Sequence, residues 1–112
     1  MSVERWSEEI VIIRLQKDPG FSDDITAALE ELRENTAVHV ILDFENVDHM
    51  NSSNIAKLLK LRKQLVNNKR RLMLCGIDTN VWGLFLVTGL DKVFEFADNV
   101  AIGLTALQLT DE

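Results

Sequence analysis

Asn51-Ser52-Ser53-Asn54 places two adjacent hydroxyls between two amides, at the point where the apolar run Val38 to Phe44 gives way to a leucine-patterned segment. An asparagine or serine just ahead of a helix accepts a hydrogen bond from the first-turn backbone, so Asn51 or Ser52 can act as the cap. Capping takes one side chain. A second hydroxyl beside free backbone N–H groups is suited to carrying a phosphate, because the positive end of the helix stabilises the added charge. The run is then either a capped helix start and nothing more or, with Ser52 as the candidate phosphate acceptor, a site of modification. Ser53, Asn51 and Asn54 are candidate contacts for a protein that reads its state.

Other chemistry is sparse. Asp43 near a strand end invites comparison with receiver domains that accept a phosphoryl group on aspartate, but no acidic pair after the first strand could hold Mg²⁺ and no Lys-Pro follows the last. His39 and His49 lack further ligands at metal spacing, belong to no nucleophile motif and are expected at the surface. Cys75, inside an apolar strand, reads as an inert buried thiol. The five glycines are scattered and form no phosphate-binding loop. No catalytic residue, cofactor or metal is expected.

The elements that must position the serines alternate along the chain. Val3 to Trp6 and Glu9 to Leu15 read as two short strands paired as a hairpin, and Pro19 and Gly20 then break the chain. A helix follows, with Ser22 as its expected N-cap, Asp23 and Asp24 opposing the dipole, and Ile25, Ala28, Leu29 and Leu32 at helical spacing up to Asn35. Val38 to Phe44 is expected as a central buried strand. Beyond it the pattern predicts a helix over 53–67, a strand near 71–77, a helix over 79–88 closed by Gly89, the strand "VFEF" and a helix over 99–109. This order gives an α/β fold: one domain, residues 1–112, with a mixed, largely parallel sheet of about five strands and about four helices. In such sheets, ligands and chemistry gather at the carboxyl ends of the parallel strands, where the 45–54 loop lies.

Composition fits one ordinary globular domain, since 112 residues that are 46% hydrophobic and 27% charged can bury a core but not two. The lone cysteine forms no internal disulfide and the first twenty residues lack a signal-like pattern, so the cytoplasm is expected. The longest apolar run, Val81 to Val87, is far shorter than the roughly 18 residues of a membrane span, and no membrane partner is expected. A net charge of −6 argues against direct nucleic-acid binding. The charge is uneven: Lys57, Lys60, Arg62, Lys63, Lys69, Arg70 and Arg71 share a segment without acids, while residues 1–56 hold twelve acids and four bases. That basic segment is either a solvated face or a docking surface for an acidic partner.

Two apolar features extend this. Val81, Trp82, Leu84, Phe85, Leu86 and Val87 surround the third helix, although a helix on a sheet buries only one stripe, so Trp82 marks either deeper burial or a partner or homodimer patch. On helix 53–67, Ile55, Leu58, Leu59, Leu61, Leu65 and Val66 share an arc into which Arg62 falls. Its stem is expected to pack while its guanidinium reaches an acid or the rim.

These residues resemble a known family, the STAS domain of anti-sigma-factor antagonists. "VILDFENVDHMNSSNIAKLLKLRKQL" is similar to the family's apolar strand, short loop, Asp-Ser-Ser/Thr-Gly signature and leucine-patterned helix, and "RLMLCGI" and "VWGLFLVTGLDKVFEF" resemble the elements that follow. The likeness spans about residues 8–107. Asn51 stands where the family has Asp, Asn54 stands where it has Gly, and "LQKDPGFSDD" departs from the family's Gly-x-Leu-Asp pattern. Asn54 is expected to add a side chain where a kinase approaches. The resemblance implies a switch without catalysis of its own: a partner anti-sigma factor that is also a serine kinase, a phosphatase that resets it, and phosphorylation at Ser52. A STAS adaptor without phospho-regulation is the alternative, and a receiver-like protein using Asp43 is the remote one.

Overall fold

The structure is a computed structural model that describes residues 2–110. Its centre is β3, His39–Asp43, buried at every position because it lies between β2 and β4 with side chains packed on both faces. The five strands lie in sequence order: β1 (Ser2–Arg5), β2 (Ile10–Arg14), β3, β4 (Leu72–Cys75) and β5 (Glu95–Ala97). Only β1 runs antiparallel, paired with β2. The expected α/β class, with five strands and four α-helices, is present.

The layers follow from strand periodicity and crossover handedness. Val11, Ile13, Val40, Leu42, Leu72 and Leu74 face one way, where α1 (Gly20–Glu34), α2 (Ser52–Asn67) and α3 (Thr79–Thr88) cover them. Each right-handed crossover steps one strand in the same direction, so all three helices share that face. Ile10, Ile12, Ile41, Met73 and Cys75 point the other way, toward α4 (Val100–Thr110). At Gly103 that helix comes so close that a Cβ would stand 2.7 Å from Cys75 Sγ. α3 ends at Gly89 with φ 76, the left-handed stop expected there.

Several local expectations change. The strand bounds shift: pairing in β1 ends at Arg5 and in β2 runs only from Ile10 to Arg14, while Leu90–Lys92 forms a 3-10 turn that delays β5 to Glu95. Ser22 is not the cap of α1. The helix begins at Gly20, and Asp18 Oδ1 accepts from Ser22 N at 3.0 Å and from Ser22 Oγ at 2.9 Å. Asp23 lies in the exposed first turn, whereas Asp24 is buried, and burial raises its pKa.

His39 is not a surface histidine. It is 2% exposed, and its Nδ1 accepts from Arg71 N at 2.9 Å, which puts the ring proton on Nε2. His49 is exposed beside Asp48 at 2.9 Å. Leu58, Leu61 and Leu65 are buried as expected, but Leu59 and Val66 are 37% and 52% exposed. Arg62 stands at the rim of a surface cleft, with Nε donating to the Val93 carbonyl at 3.1 Å.

Candidate functional site

The serine pair opens α2 at the carboxyl edge of the parallel strands. Asn51 is the N-cap, in extended conformation, and its side-chain oxygen accepts from Asn54 N at 2.8 Å. Asn54 returns the contact, its Oδ1 accepting from Asn51 N at 3.0 Å. This is a capping box built from two asparagines. Neither serine caps. Ser52 and Ser53 are exposed, and among the described residues their backbone N–H groups have no protein acceptor.

Asp18 locks the box from the β2–α1 loop. Its Oδ2 accepts from Asn54 Nδ2 at 2.9 Å and from Asn51 Nδ2 at 3.1 Å, and Asn54 Nδ2 also lies 3.3 Å from Ser22 Oγ. The Asn54 bond above all holds the Asp18 carboxyl below its ordinary pKa, the Ser22 and Asn51 bonds add to it, and desolvation opposes them. Asn54 is only 3% exposed, so the side chain expected to crowd an approaching partner turns inward instead. Its amide supplies what a glycine cannot: two donors and an acceptor that join two loops.

Sequence reasoning missed Asp18. Its signal was the short spacing Asp18-Pro19-Gly20 ahead of a helix with no better cap, but its partners lie thirty-three and thirty-six residues away. A carboxylate absent at position 51 is thus supplied beside it from another loop.

Trp82 stands on α3, which also starts at the carboxyl edge of the sheet. It is 36% exposed and meets Phe96 edge to face, with ring centroids 5.0 Å apart. The pair borders an open cleft of about 260 Å³ with Ile77, Ala97 and Asp98. Leu86 and Val87 are 51% and 87% exposed, so the outer face of α3 is apolar and uncovered.

Asp43, at the end of β3, is engaged by its neighbours. It is 8% exposed, its Oδ1 accepts from Glu45 N at 3.0 Å and its Oδ2 lies 3.7 Å from Arg14 Nε. Receivers have the strand order 2-1-3-4-5 with helices on both faces. Here the order is sequential, and three crossover helices share one face. Cys75 is buried, and desolvation together with Asp43 pushes its thiol up to about 12, as expected of an inert cysteine. Among the described residues no group of three or more His, Cys, Asp or Glu is placed to hold a metal, and no helix is long and apolar enough to cross a membrane.

Residues 5–102 match the family model described as STAS domain. The chain belongs to that family. This STAS domain is 28% identical over 104 residues to the anti-sigma F factor antagonist of Paenibacillus polymyxa, spanning 89% of this chain and 88% of that one. The fold is shared with an anti-sigma-factor antagonist (STAS) domain protein of Planctomyces limnophilus, at a TM-score of 0.83, 18% identity and coverage of 96% and 97% of the two chains. It is also shared with the phosphorylated form of the Bacillus cell fate determinant SpoIIAA, at a TM-score of 0.66, 24% identity and coverage of 87% and 90%.

Proposed function

We propose that this STAS domain is a cytoplasmic anti-sigma factor antagonist that binds an anti-sigma factor with serine-kinase activity and is switched by phosphate on Ser52. The observation that carries the reading is the exposed Ser52 in the first turn of α2, with its own N–H and that of Ser53 lacking protein acceptors while Asn51 and Asn54 are occupied with each other. A phosphate there gains from the helix dipole, so modification leaves the fold intact. Its charge near −2 then acts at the contact surface, where a partner shaped for a neutral hydroxyl is repelled or left with an unpaired desolvated charge. A phosphatase restores binding. The Paenibacillus antagonist, and SpoIIAA described in a phosphorylated form, support the assignment.

The partner surface on this reading comprises Asn51, Ser52, Ser53 and the exposed edge of Trp82. Asn54 contributes by fixing the loop, since it is buried. The domain does no catalysis itself, and the exposed outer face of α3 is the place for a homodimer contact if one forms. Incubation with candidate anti-sigma kinases from the same genome, followed by intact-mass measurement, tests modification directly. Affinities and thermal melts of parent, Ser52→Ala and Ser52→Asp test the switch: Ala keeps binding and resists modification, whereas Asp melts no lower than the parent and binds at least about tenfold more weakly, roughly 1.4 kcal/mol. Equal affinity for all three, without modification, means a constitutive adaptor whose serine has no regulatory role.

A further inference from the structure

Three arginines of the acid-free segment converge at the end of α2 remote from Ser52. With 16 residues, α2 spans about 24 Å, so the two places cannot share one small ligand. Arg62, Arg70 and Arg71 line a cleft of about 190 Å³ that also has apolar walls, Val66 and Leu72 among them, and one acid, Glu95. Glu95 is engaged: it pairs with Arg71, whose Nε donates to it at 3.0 Å. Arg62 is fixed across the cleft by its Nε bond to the Val93 carbonyl, and among the described residues its terminal nitrogens have no acceptor.

Arg70 is set by the backbone. Lys69 takes φ 59, and Arg70 N donates to the Leu65 carbonyl at 2.8 Å, which closes α2 and turns the chain into β4. Among the described residues the Arg70 Nε, which is buried, has no hydrogen-bond partner. That atom is covered, so a ligand in the cleft meets the rest of the Arg70 guanidinium rather than Nε. Val66, half exposed at the rim, adds an apolar contact that a bare anion would not use.

We infer that this cleft is a docking site for an acidic peptide segment of a partner protein, with one carboxylate between Arg62 and Arg70 and an adjacent apolar side chain on Val66. Exposed Lys60 and Lys63, on the same helix and without acids nearby in sequence, draw such a segment in and make its capture salt-dependent. The site is separated from Ser52 by most of the length of α2.

The test is a titration of the isotope-labelled domain with a blocked peptide in which glutamates flank a leucine, followed through the backbone amides by NMR. The expected result is saturable shifts centred on Arg62, Val66, Arg70 to Leu72 and Val93 to Glu95, weakened at least about fivefold by Arg70→Gln and by several-fold in raised salt. Arg62→Gln serves as the second variant, with melts showing that either protein remains folded. Equal binding of the peptide with glutamine in place of glutamate overturns the inference. So do shifts confined to Lys60 and Lys63, or displacement of the peptide by inorganic phosphate at the same concentration as by a second acidic peptide. No saturable shift also overturns it.

Discussion

Asn54 Nδ2 donates to Asp18 Oδ2 at 2.9 Å across thirty-six residues of sequence, while its own Oδ1 caps Asn51 N. One buried amide therefore joins the β2–α1 loop to the serine-bearing start of α2. Asn54→Ala removes half of the capping box and leaves Asn51 N and Asp18 each short of a partner. The expected loss is about 2 kcal/mol in chemical denaturation, from a lost cap and unpaired polar groups. Ser53→Ala, at an exposed position without a capping role, is expected within about 0.5 kcal/mol of the parent.

Asp18 also gives the domain a defined acid response. Its folded pKa lies below its ordinary value, so its contribution is fully present above the ordinary value and is lost as pH falls through the lowered one. Asp18→Asn turns an amide toward the donors of Asn51 and Asn54, and the variant is less stable at neutral pH. The gap between the two proteins is expected to narrow as pH falls below about 4 and to close below the folded pKa of Asp18, read from denaturant midpoints. Asp24 has the opposite sign. Burial raises its pKa, so Asp24→Asn is relatively most favourable at neutral pH, and its advantage shrinks as pH falls through the raised value.

Gly103 and Gly83 make a paired test of packing against propensity. Both lie within helices, where alanine is intrinsically better than glycine by about 1 kcal/mol. A Cβ on Gly103 meets Cys75 Sγ at 2.7 Å and Met73 Sδ at 3.3 Å, whereas one on Gly83 meets nothing within 4 Å. Gly103→Ala is expected to destabilise by about 1–3 kcal/mol, because α4 must lift from the sheet. Gly83→Ala is expected to stabilise by about 0.5–1 kcal/mol. Thermal melts of the two variants decide both signs.

What could be read from sequence divides along the same line. The alternation of β-branched runs with helical spacing placed the central strand and all four helices, because strand and helix periods are local properties. The Asn-Ser-Ser-Asn loop was recognisable as a helix start for the same reason. Asp18 and His39 were not: each owes its role to a residue more than thirty positions away, Asn54 in one case and Arg71 in the other. Leu59 and Val66 failed differently. Periodicity gives the direction of a buried stripe, but its width depends on neighbouring elements, and on α2 only the stripe of Asn54, Leu58, Leu61 and Leu65 is buried. The left-handed turn at Lys69, which sets the place of Arg70, is likewise not signalled by a glycine.

That uncovered edge of α2 supplies a test of where a partner lies. Ile55, Leu59, Arg62 and Val66 follow one another at spacings of four, three and four, so they form a stripe along one side of the helix that Ser52 begins. Ile55 is partly buried, while Leu59 and Val66 stand out into solvent. Val66→Ser, at a half-exposed position, is expected to cost the isolated domain about 1 kcal/mol and Leu59→Ser, where most of the side chain is already covered, about 1–2 kcal/mol. A partner that covers Ser52 and follows α2 loses these contacts, and the expected change is at least about tenfold in affinity for Leu59→Ser. Val87→Ser, on the far more exposed side of α3, serves as the comparison. Calorimetric affinities that fall for Leu59→Ser and stay level for Val87→Ser place the partner along α2. The reverse pattern moves it to α3 and Trp82, where Trp82→Ala would then show the larger loss of binding at a stability cost of about 1–2 kcal/mol from its edge-to-face contact with Phe96.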